Sequence, residues 1–579
     1  MKINKKSILL VALFAMMVIP FSCKKSFLVQ TNQFQSSADA TFQKSSDVVA
    51  LINAIYDTYQ NSDLLKKSIW YYANFQTHDW FNYGADIAWN NYQIPATFGQ
   101  LPSLWDNAYI GIARANAALS IIDKAKEKGV VTAELAARLK GEAYFLRGMT
   151  YYYLAGSFGG VPLELNSITD GLTPRSSQDS VFKQVVSDMQ QAATLLPWKT
   201  DLPASELGRA TKGAAYGYLG AAQMWVKDYA GAITSFNQLN GRYSLLPNFA
   251  NVHEYNNQNN DESLFEVQFN VAPGASQTWD GGWQAGGEIA WIDDFGMPWE
   301  ISGFGYDYGN PGLWYSYQAG DKRKLLTIVG PNDTIQSPGI IAKWGGIKGY
   351  PVVKSGFAAN NTRYVDDNGK IVNTCGTLLK PWFGDDGLRS GYYCAKKWRD
   401  PNLSGANDNG TGNSAIFGGQ NQILLRYAEI ILDRAECKVR TGDLAGAAAD
   451  LKLVRDRAWG GAGLAPAVMQ DGLKYNGTAS APITDPLQQV LSEYRHELTG
   501  EFSLFYDLRR AGPGVAAAFI QNAYGTDNTT TPQPAPFGPT ADGKAHGVWR
   551  TSLPANRDLL PIPQKEIGLN PNLTQNPGY

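Results

Sequence analysis

The chain has 579 residues, with 50 basic and 52 acidic side chains and a net charge of −2. That balance excludes the basic footprint that nucleic-acid binding needs. Aromatic residues make up 12%, with 16 Trp and 30 Tyr, and the 59 Gly signal many loops between regular elements.

Lys2, Lys5 and Lys6 precede an apolar run from Ile8 to Ile19. The run is too short for a bilayer, which needs roughly 20 residues. It predicts a secretory leader over residues 1–22. Small Ser22 followed by Cys23 fits a lipidated first residue, and an ordinary leader with a chance cysteine is the plainer alternative. More than one acyl chain on Cys23 gives stable attachment at a membrane face without spanning it. Without the leader the chain has 557 residues and a net charge of −5. That length suits two to four domains or one large one. Of the other cysteines, Cys437 lies on a strongly helical stretch and reads as a small buried apolar residue. Cys375 and Cys394 lie among loops and are a candidate disulfide in an exported protein.

Residues 46–60 read as a helix, because Val48, Leu51, Ile52, Ile55 and Tyr59 share one face. Residues 61–100 lose the period and carry Trp70, Trp80 and Trp89 among Asn, Asp and Gly. Helices return over 104–128, 133–155 and 179–196. Trp105 and Trp314 sit in helical patterns and read as core. Residues 214–239 and 424–458 share one plan of helix, short turn, helix. Asp228-Tyr229-Ala230-Gly231-Ala232 aligns with Asp443-Leu444-Ala445-Gly446-Ala447, and each Asp is placed to cap the second helix. This is the texture of tetratricopeptide-like helix pairs, dispersed rather than stacked in one array. Residues 270–422 are rich in Gly, Asn, Asp and aromatics and read as a loop-rich insertion, entered through the strand-like "DESLFEVQF" (261–269). Residues 485–510 are helical again. Pro561, Pro563, Pro571 and Pro577 keep the tail extended or turned, packed over the helical body.

In chain order the sequence carries "LWDNAYIGIARANAAL" (104–119), "LKGEAYFLRGMTYYYLAGSFGGVPL" (139–163), "GRATKGAAYGYLGAA" (208–222) and "YSLLPNF" (243–249). Later come "ILLRYAEIILDRAE" (423–436), "VRDRA" (454–458), "EYRHELTGEFSLFYDLRRAG" (493–512) and "LLPIPQKEIGLNPNLTQNPGY" (559–579). Together they resemble the SusD/RagB family of Bacteroidetes outer-membrane lipoproteins. One departure follows Cys23, where "KKSFLVQ" lacks the acidic residues that often promote surface export in that phylum. The resemblance implies a mainly α fold of tetratricopeptide-like helix pairs with an inserted loop-rich subdomain carrying short strands. It divides the chain into a leader (1–22), anchor and tether (23–45), N-terminal helical region (46–269), ligand-binding insertion (270–422) and C-terminal helical region with tail (423–579). It also implies a non-enzymatic lipoprotein without cofactor, anchored in the outer membrane and facing the exterior. Such a protein captures an oligosaccharide and delivers it to a SusC-like, TonB-dependent barrel.

The family's glycan site is built from variable aromatic loops, and two segments here fit: 70–93 and 277–309. Sugars stack their C–H faces on aromatic rings and pair their hydroxyls with carboxylates and amides. The stacking candidates are Trp80, Trp89, Trp279, Trp283, Trp291 and Trp299. The polar candidates are Asp79, Asn82, Asp280 and Asp293. The structural alternative for each Trp is a plug in a local core. Glu493, Glu497 and Glu501 recur every four residues, which suits either paired acid–base catalysis or internal ion pairing; the nearby Arg495, Arg509 and Arg510 favour pairing. His78, His253, His496 and His546 are scattered, and no HExxH, GxSxG or P-loop occurs. The Asp-rich "NDNG" at 407–410 reads as a polar turn rather than a calcium loop. Two other cargo or activity classes stay open: peptide or another nutrient on the same architecture, and an α-helical glycoside hydrolase. A helical-repeat scaffold that binds only proteins is a third.

Overall fold

The computed structural model describes residues 42–82, 86–167, 169–269, 307–330, 333, 393–397, 419–473, 479–524 and 552–579, with short pieces at 338, 342, 348–349, 363–365, 371–373 and 378–379. The leader, Cys23, Cys375 and the Asp-rich turn at 407–410 lie outside the described residues. Among the described residues no helix is long and apolar enough to cross a membrane.

Helical periodicity sets the body. Helix α1 (Ser45–Tyr59) buries Val48, Ile52, Ile55 and Tyr59, the row its spacing predicts. Helix α2 (Ser68–Phe75) was invisible to periodicity because all eight of its residues are buried, and a helix apolar all round carries no period. The long pair α3 (Gln100–Glu127) and α4 (Ala133–Phe158) follows, then α5 (Gln178–Leu195), and successive helices pack side by side. Thr132 caps α4 by accepting from Leu135 N at 3.2 Å, and Gly159 ends it with a φ of 74°. Trp105 is buried against Phe158, and Trp314 is half-buried.

The two similar stretches form two matching hairpins. Helix α6 (Lys212–Trp225) turns into α7 (Tyr229–Asn237), and further along the chain α9 (Tyr427–Thr441) turns into α10 (Leu444–Trp459). Asp228 accepts from Gly231 N at 2.9 Å, and Asp443 accepts from Gly446 N at 2.9 Å. Such a cap stabilises a helix by about 1 kcal/mol. Glycine three residues after each cap lets the carboxylate sit close, since a Cβ there would make it shift. The hairpins pack on each other through α7 and α9.

Strands β1 (Trp80–Asn82), β2 (Ser263–Val267), β3 (Asp307–Gly309), β4 (Ile328–Val329), β5 (Tyr393–Cys394) and β6 (Gln422–Arg426) make three two-stranded antiparallel ladders: β1 with β3, β2 with β6, and β4 with β5. The segment "ILLR", expected as the start of a helix, is therefore strand. Cys394 is buried on β5 opposite Ile328, and Cys437 is buried on α9. Short helix α8 (Pro311–Ser316) follows β3. Helices α11 (Pro486–Leu498), α12 (Leu504–Arg510) and α13 (Val515–Tyr524) break the expected 485–510 helix at Thr499–Ser503. The tail packs on the helical body as expected: Leu560 N donates to Ser157 O at 2.8 Å, and Gln564 N donates to Ala96 O at 2.9 Å. It adds one short helix, α14 (Gln564–Leu569), directly after Pro563.

The row Glu493, Glu497 and Glu501 lies in the core as an ionic cluster, not a catalytic pair. Arg426 Nη1 is 2.8 Å from Glu262 and 2.5 Å from Glu497, and its Nε is 2.7 Å from Glu501. Arg457 reaches Glu262 and Glu497. Arg323 bridges Asp321, Glu493 and Glu497. Lys396 pairs with Glu501, and Arg455 with Glu493. Five carboxylates thus meet five cations. The arginines nearest in sequence are not the partners: Arg495 turns to Asp79, Arg509 to Asp558 and Arg510 to Asp433. Burial alone would raise the Glu497 carboxyl, but Arg457, Arg426 and Arg323 outweigh it and hold it far below the usual range. Burial pushes the adjoining His253 down to about 4, so it stays neutral.

A second buried group is unbalanced. Arg510 faces Asp433, Glu436 and Asp507, with Glu429 beside them. Arg440 adds one further cation at Glu436. Desolvation and mutual repulsion push the Glu429, Asp433 and Asp507 carboxyls upward from their usual values.

Arg426→Ala would take one cation from three buried carboxylates, leaving five acids against four cations, and cost about 3–5 kcal/mol, the range for breaking a buried pair; equilibrium denaturation checks it. The raised acids act in the opposite pH direction from Glu497. Their contribution is full below the unfolded carboxyl pKa and is lost as pH rises through the folded one. Glu429→Gln should therefore raise the melting temperature by a few degrees at neutral pH. The gain should shrink toward pH 4, which melts across a pH series would reveal.

Candidate functional site

The two aromatic segments singled out by sequence meet at the ladder of β1 and β3. Its register pairs Trp80 with Gly309, Phe81 with Tyr308 and Asn82 with Asp307. Gly309 makes room for the indole, since a Cβ there would lie 2.9 Å from Trp80 Cζ3. The residues that follow β2 and precede β3, 270–306, carry four of the six tryptophan candidates. Trp279, Asp280, Trp283, Trp291, Asp293 and Trp299 all lie outside the described residues.

The first segment serves as the foundation, which corrects the expectation for Trp80, Trp89, Asp79 and Asn82. Trp80 is 1% exposed and Trp89 fully buried, so neither indole offers a face for stacking. Trp80 Nε1 donates to Thr499 Oγ1 at 2.9 Å, and Trp89 Nε1 donates to Gln100 Oε1 at 3.1 Å. Asp79 accepts from Arg495 Nε at 2.9 Å, from Thr499 Oγ1 at 3.0 Å and from the Tyr524 hydroxyl. Asn82 Nδ2 donates to Asp307 Oδ1 at 2.7 Å, and Asn90 Nδ2 donates to Asn82 O at 2.7 Å. Polar groups that read as sugar ligands are satisfied by protein partners, as buried polar groups must be.

Two residues bend the chain around this foundation. His78 and Tyr92 adopt φ values of 62° and 57°, which side chains rarely take, and their rings stack 5.1 Å apart. Asn310 ties the exit of β3 to the same place. Its N–H donates to Asp79 O at 2.8 Å, its Nδ2 donates to His78 O at 2.9 Å, and its Oδ1 accepts from Gly312 N at the start of α8. Sequence reasoning missed Asn310 and Thr499 and did not find Asp79 as the partner of Arg495, because these contacts join residues distant in the chain.

One Ser–His–Asp arrangement occurs among the described residues. Ser316 Oγ is 3.0 Å from His496 Nε2, and His496 Nδ1 is 4.0 Å from Asp471 Oδ1. Its geometry is not that of an activated nucleophile. The Ser316 hydroxyl already donates to Leu313 O at 2.8 Å and is buried, and burial lowers the His496 pKa. Among the described residues no group of His, Cys, Asp and Glu is arranged to hold a metal ion.

With the fold and the foundation in view, comparison with known proteins is informative. Residues 27–222 match the family model described as starch-binding, associating with outer membrane. SusD-like protein P2 of Formosa agariphila is 25% identical over 514 residues, spanning 85% of this chain and 83% of that protein. Among solved structures, surface glycan-binding protein A from Bacteroides thetaiotaomicron, in complex with laminarihexaose, superposes with a TM-score of 0.64 at 19% identity. The match covers 92% of this chain and 99% of that one. A laminarin-binding SusD-like protein gives a TM-score of 0.64 at 22% identity, over 93% of this chain and all of that one. These structural likenesses establish the mainly α fold of helix pairs. The SusD family model itself matches residues 249–579, more than half of the chain, and the chain belongs to that family.

Proposed function

We propose that the protein captures an oligosaccharide at the outer surface of the cell and delivers it to a SusC-like, TonB-dependent barrel in the outer membrane. The observation that carries this reading is the fold match to the laminarihexaose complex over 92% of the chain. In this reading residues 1–22 are the leader and Cys23 bears the lipid. Residues 23–45 are the tether, and the helical regions 46–269 and 423–579 hold the insertion 270–422. The glycan stacks on Trp279, Trp283, Trp291 and Trp299, with Asp280 and Asp293 taking its hydroxyls. Placing ligand beside the barrel mouth raises its local concentration there, which is the gain a tether provides. The reaction is transfer without bond cleavage. The foundation of β1 and β3 supports the division of labour, because its side chains are committed to one another and leave recognition to the segment that enters β3.

Binding to a panel of plant, microbial and host glycans tests the reading. The expected result is one bound glycan class, with affinity reduced at least about tenfold, or about 1.4 kcal/mol, in a Trp279→Ala/Trp283→Ala double variant. Trp80→Phe should lower the melting temperature and leave that affinity unchanged. A folded protein that binds no glycan and instead binds peptides would replace sugar with peptide cargo.

A further inference from the structure

A cavity of about 270 Å³ opens between residues 471–473 and 480–485, α11, α13 and α8. Among the described residues, its lining includes none of the aromatic segment 277–309. The cavity sits at the lower edge of ligand-site sizes, about 300–1,000 Å³, so it suits one sugar ring rather than a chain.

Its floor is the Arg495 side chain, which is 3% exposed. Asp79 occupies Nε and Nη2, and the Tyr524 hydroxyl also meets Nη2. Nη1 makes no hydrogen bond among the described residues and is the end left for the cavity. On the same lining, Asp471 takes the Ser492 hydroxyl on Oδ1 at 2.7 Å, and its Oδ2 makes no hydrogen bond among the described residues. A buried donor and an acceptor thus both belong to the lining of one small cavity. Ser480, Gln488 and Asn522 add a hydroxyl and two amides on the rim, and Phe519 supplies an apolar wall.

The charge balance selects the ligand class. Asp79 already neutralises Arg495 at 2.8 Å, so the guanidinium offers a hydrogen-bond donor and little net charge. The carboxylates of Asp471 and Asp485 repel anions, which disfavours uronic acids and phosphates. A bare ammonium would meet the Arg495 fork. A neutral pyranose fits instead: vicinal hydroxyls bridge donor and acceptor, and a C–H face lies on the Phe519 ring.

We infer that this cavity is a second carbohydrate site, taking one neutral pyranose unit, separate from the aromatic segment. Arg495 also links the two places. Its partner Asp79 directly precedes β1 and accepts from Asn310 N, so a sugar on Nη1 rests on the foundation that anchors the end of β3.

Saturation-transfer NMR on the purified protein tests this with glucose, galactose, mannose and xylose, beside glucuronic acid and glucosamine. A neutral sugar should give saturation that Asn522→Trp abolishes and Asp471→Asn weakens at least fivefold. Asn522 is exposed on α13, so its replacement should leave the melting temperature unchanged. The Trp279→Ala/Trp283→Ala variant should keep the monosaccharide signal, which separates this site from oligosaccharide capture. No saturation by any neutral sugar, signal that survives both cavity variants, signal lost in the tryptophan variant, or preference for a charged sugar would each overturn the proposal.

Discussion

Glu497 accepts hydrogen bonds from Arg323, Arg426 and Arg457 inside the core, and these arginines come from three separate parts of the chain. Burying even one such ion costs several kcal/mol, so the arrangement persists only if every charge is met. Here five carboxylates and five cations close on one another, and neutral His253 fills the remaining edge. Arg426 begins α9 from the end of β6, Arg457 ends α10, and Glu262 precedes β2. The cluster therefore fixes the ladder of β2 and β6 against the second hairpin and α11. Everything between β2 and β6 leaves and returns at this one locked point.

The Arg510 group shows what happens when the charges do not match. Among the described residues two cations serve four acids there, and the pKa values of the buried Glu429 and Asp507 carboxyls are pushed upward. The two clusters lie on neighbouring helices yet respond oppositely to pH. The balanced one weakens as acid reaches Glu497, and the unbalanced one weakens as base removes its protons.

Much of the body was legible in the sequence because it depends on local spacing. Helices α1, α3 and α5 show one apolar row each, and the Asp caps at 228 and 443 sit where the internal similarity put them. What escaped is non-local. Helix α2 has no period because no face of it meets water. Strands of two or three residues are too short to alternate visibly. The glutamates of α11 stood out at four-residue spacing, but partners such as Arg323, 170 residues away, left no trace nearby. The candidate site suffered the same limit. Trp80 and Trp279 sit in similar company, each beside an Asp, and composition cannot separate a core indole from a ligand platform. The deciding contacts for Trp80 are Thr499 and Gly309, both far along the chain.

The short ladders explain how one scaffold can carry different recognition segments. An isolated two-stranded ladder is marginal in water, but here each is clamped by the helical body: β2 and β6 by the Arg426 cluster, β1 and β3 by Asp79, Asn310 and Thr499. With the ends fixed, lengthening a connection costs little, about 0.6 kcal/mol for each doubling of a flexible loop. The residues between β2 and β3 are therefore under weak constraint from folding. The foundation residues are under strong constraint, since each satisfies a buried partner. Sequence change that alters ligand preference is tolerable in the first set and costly in the second.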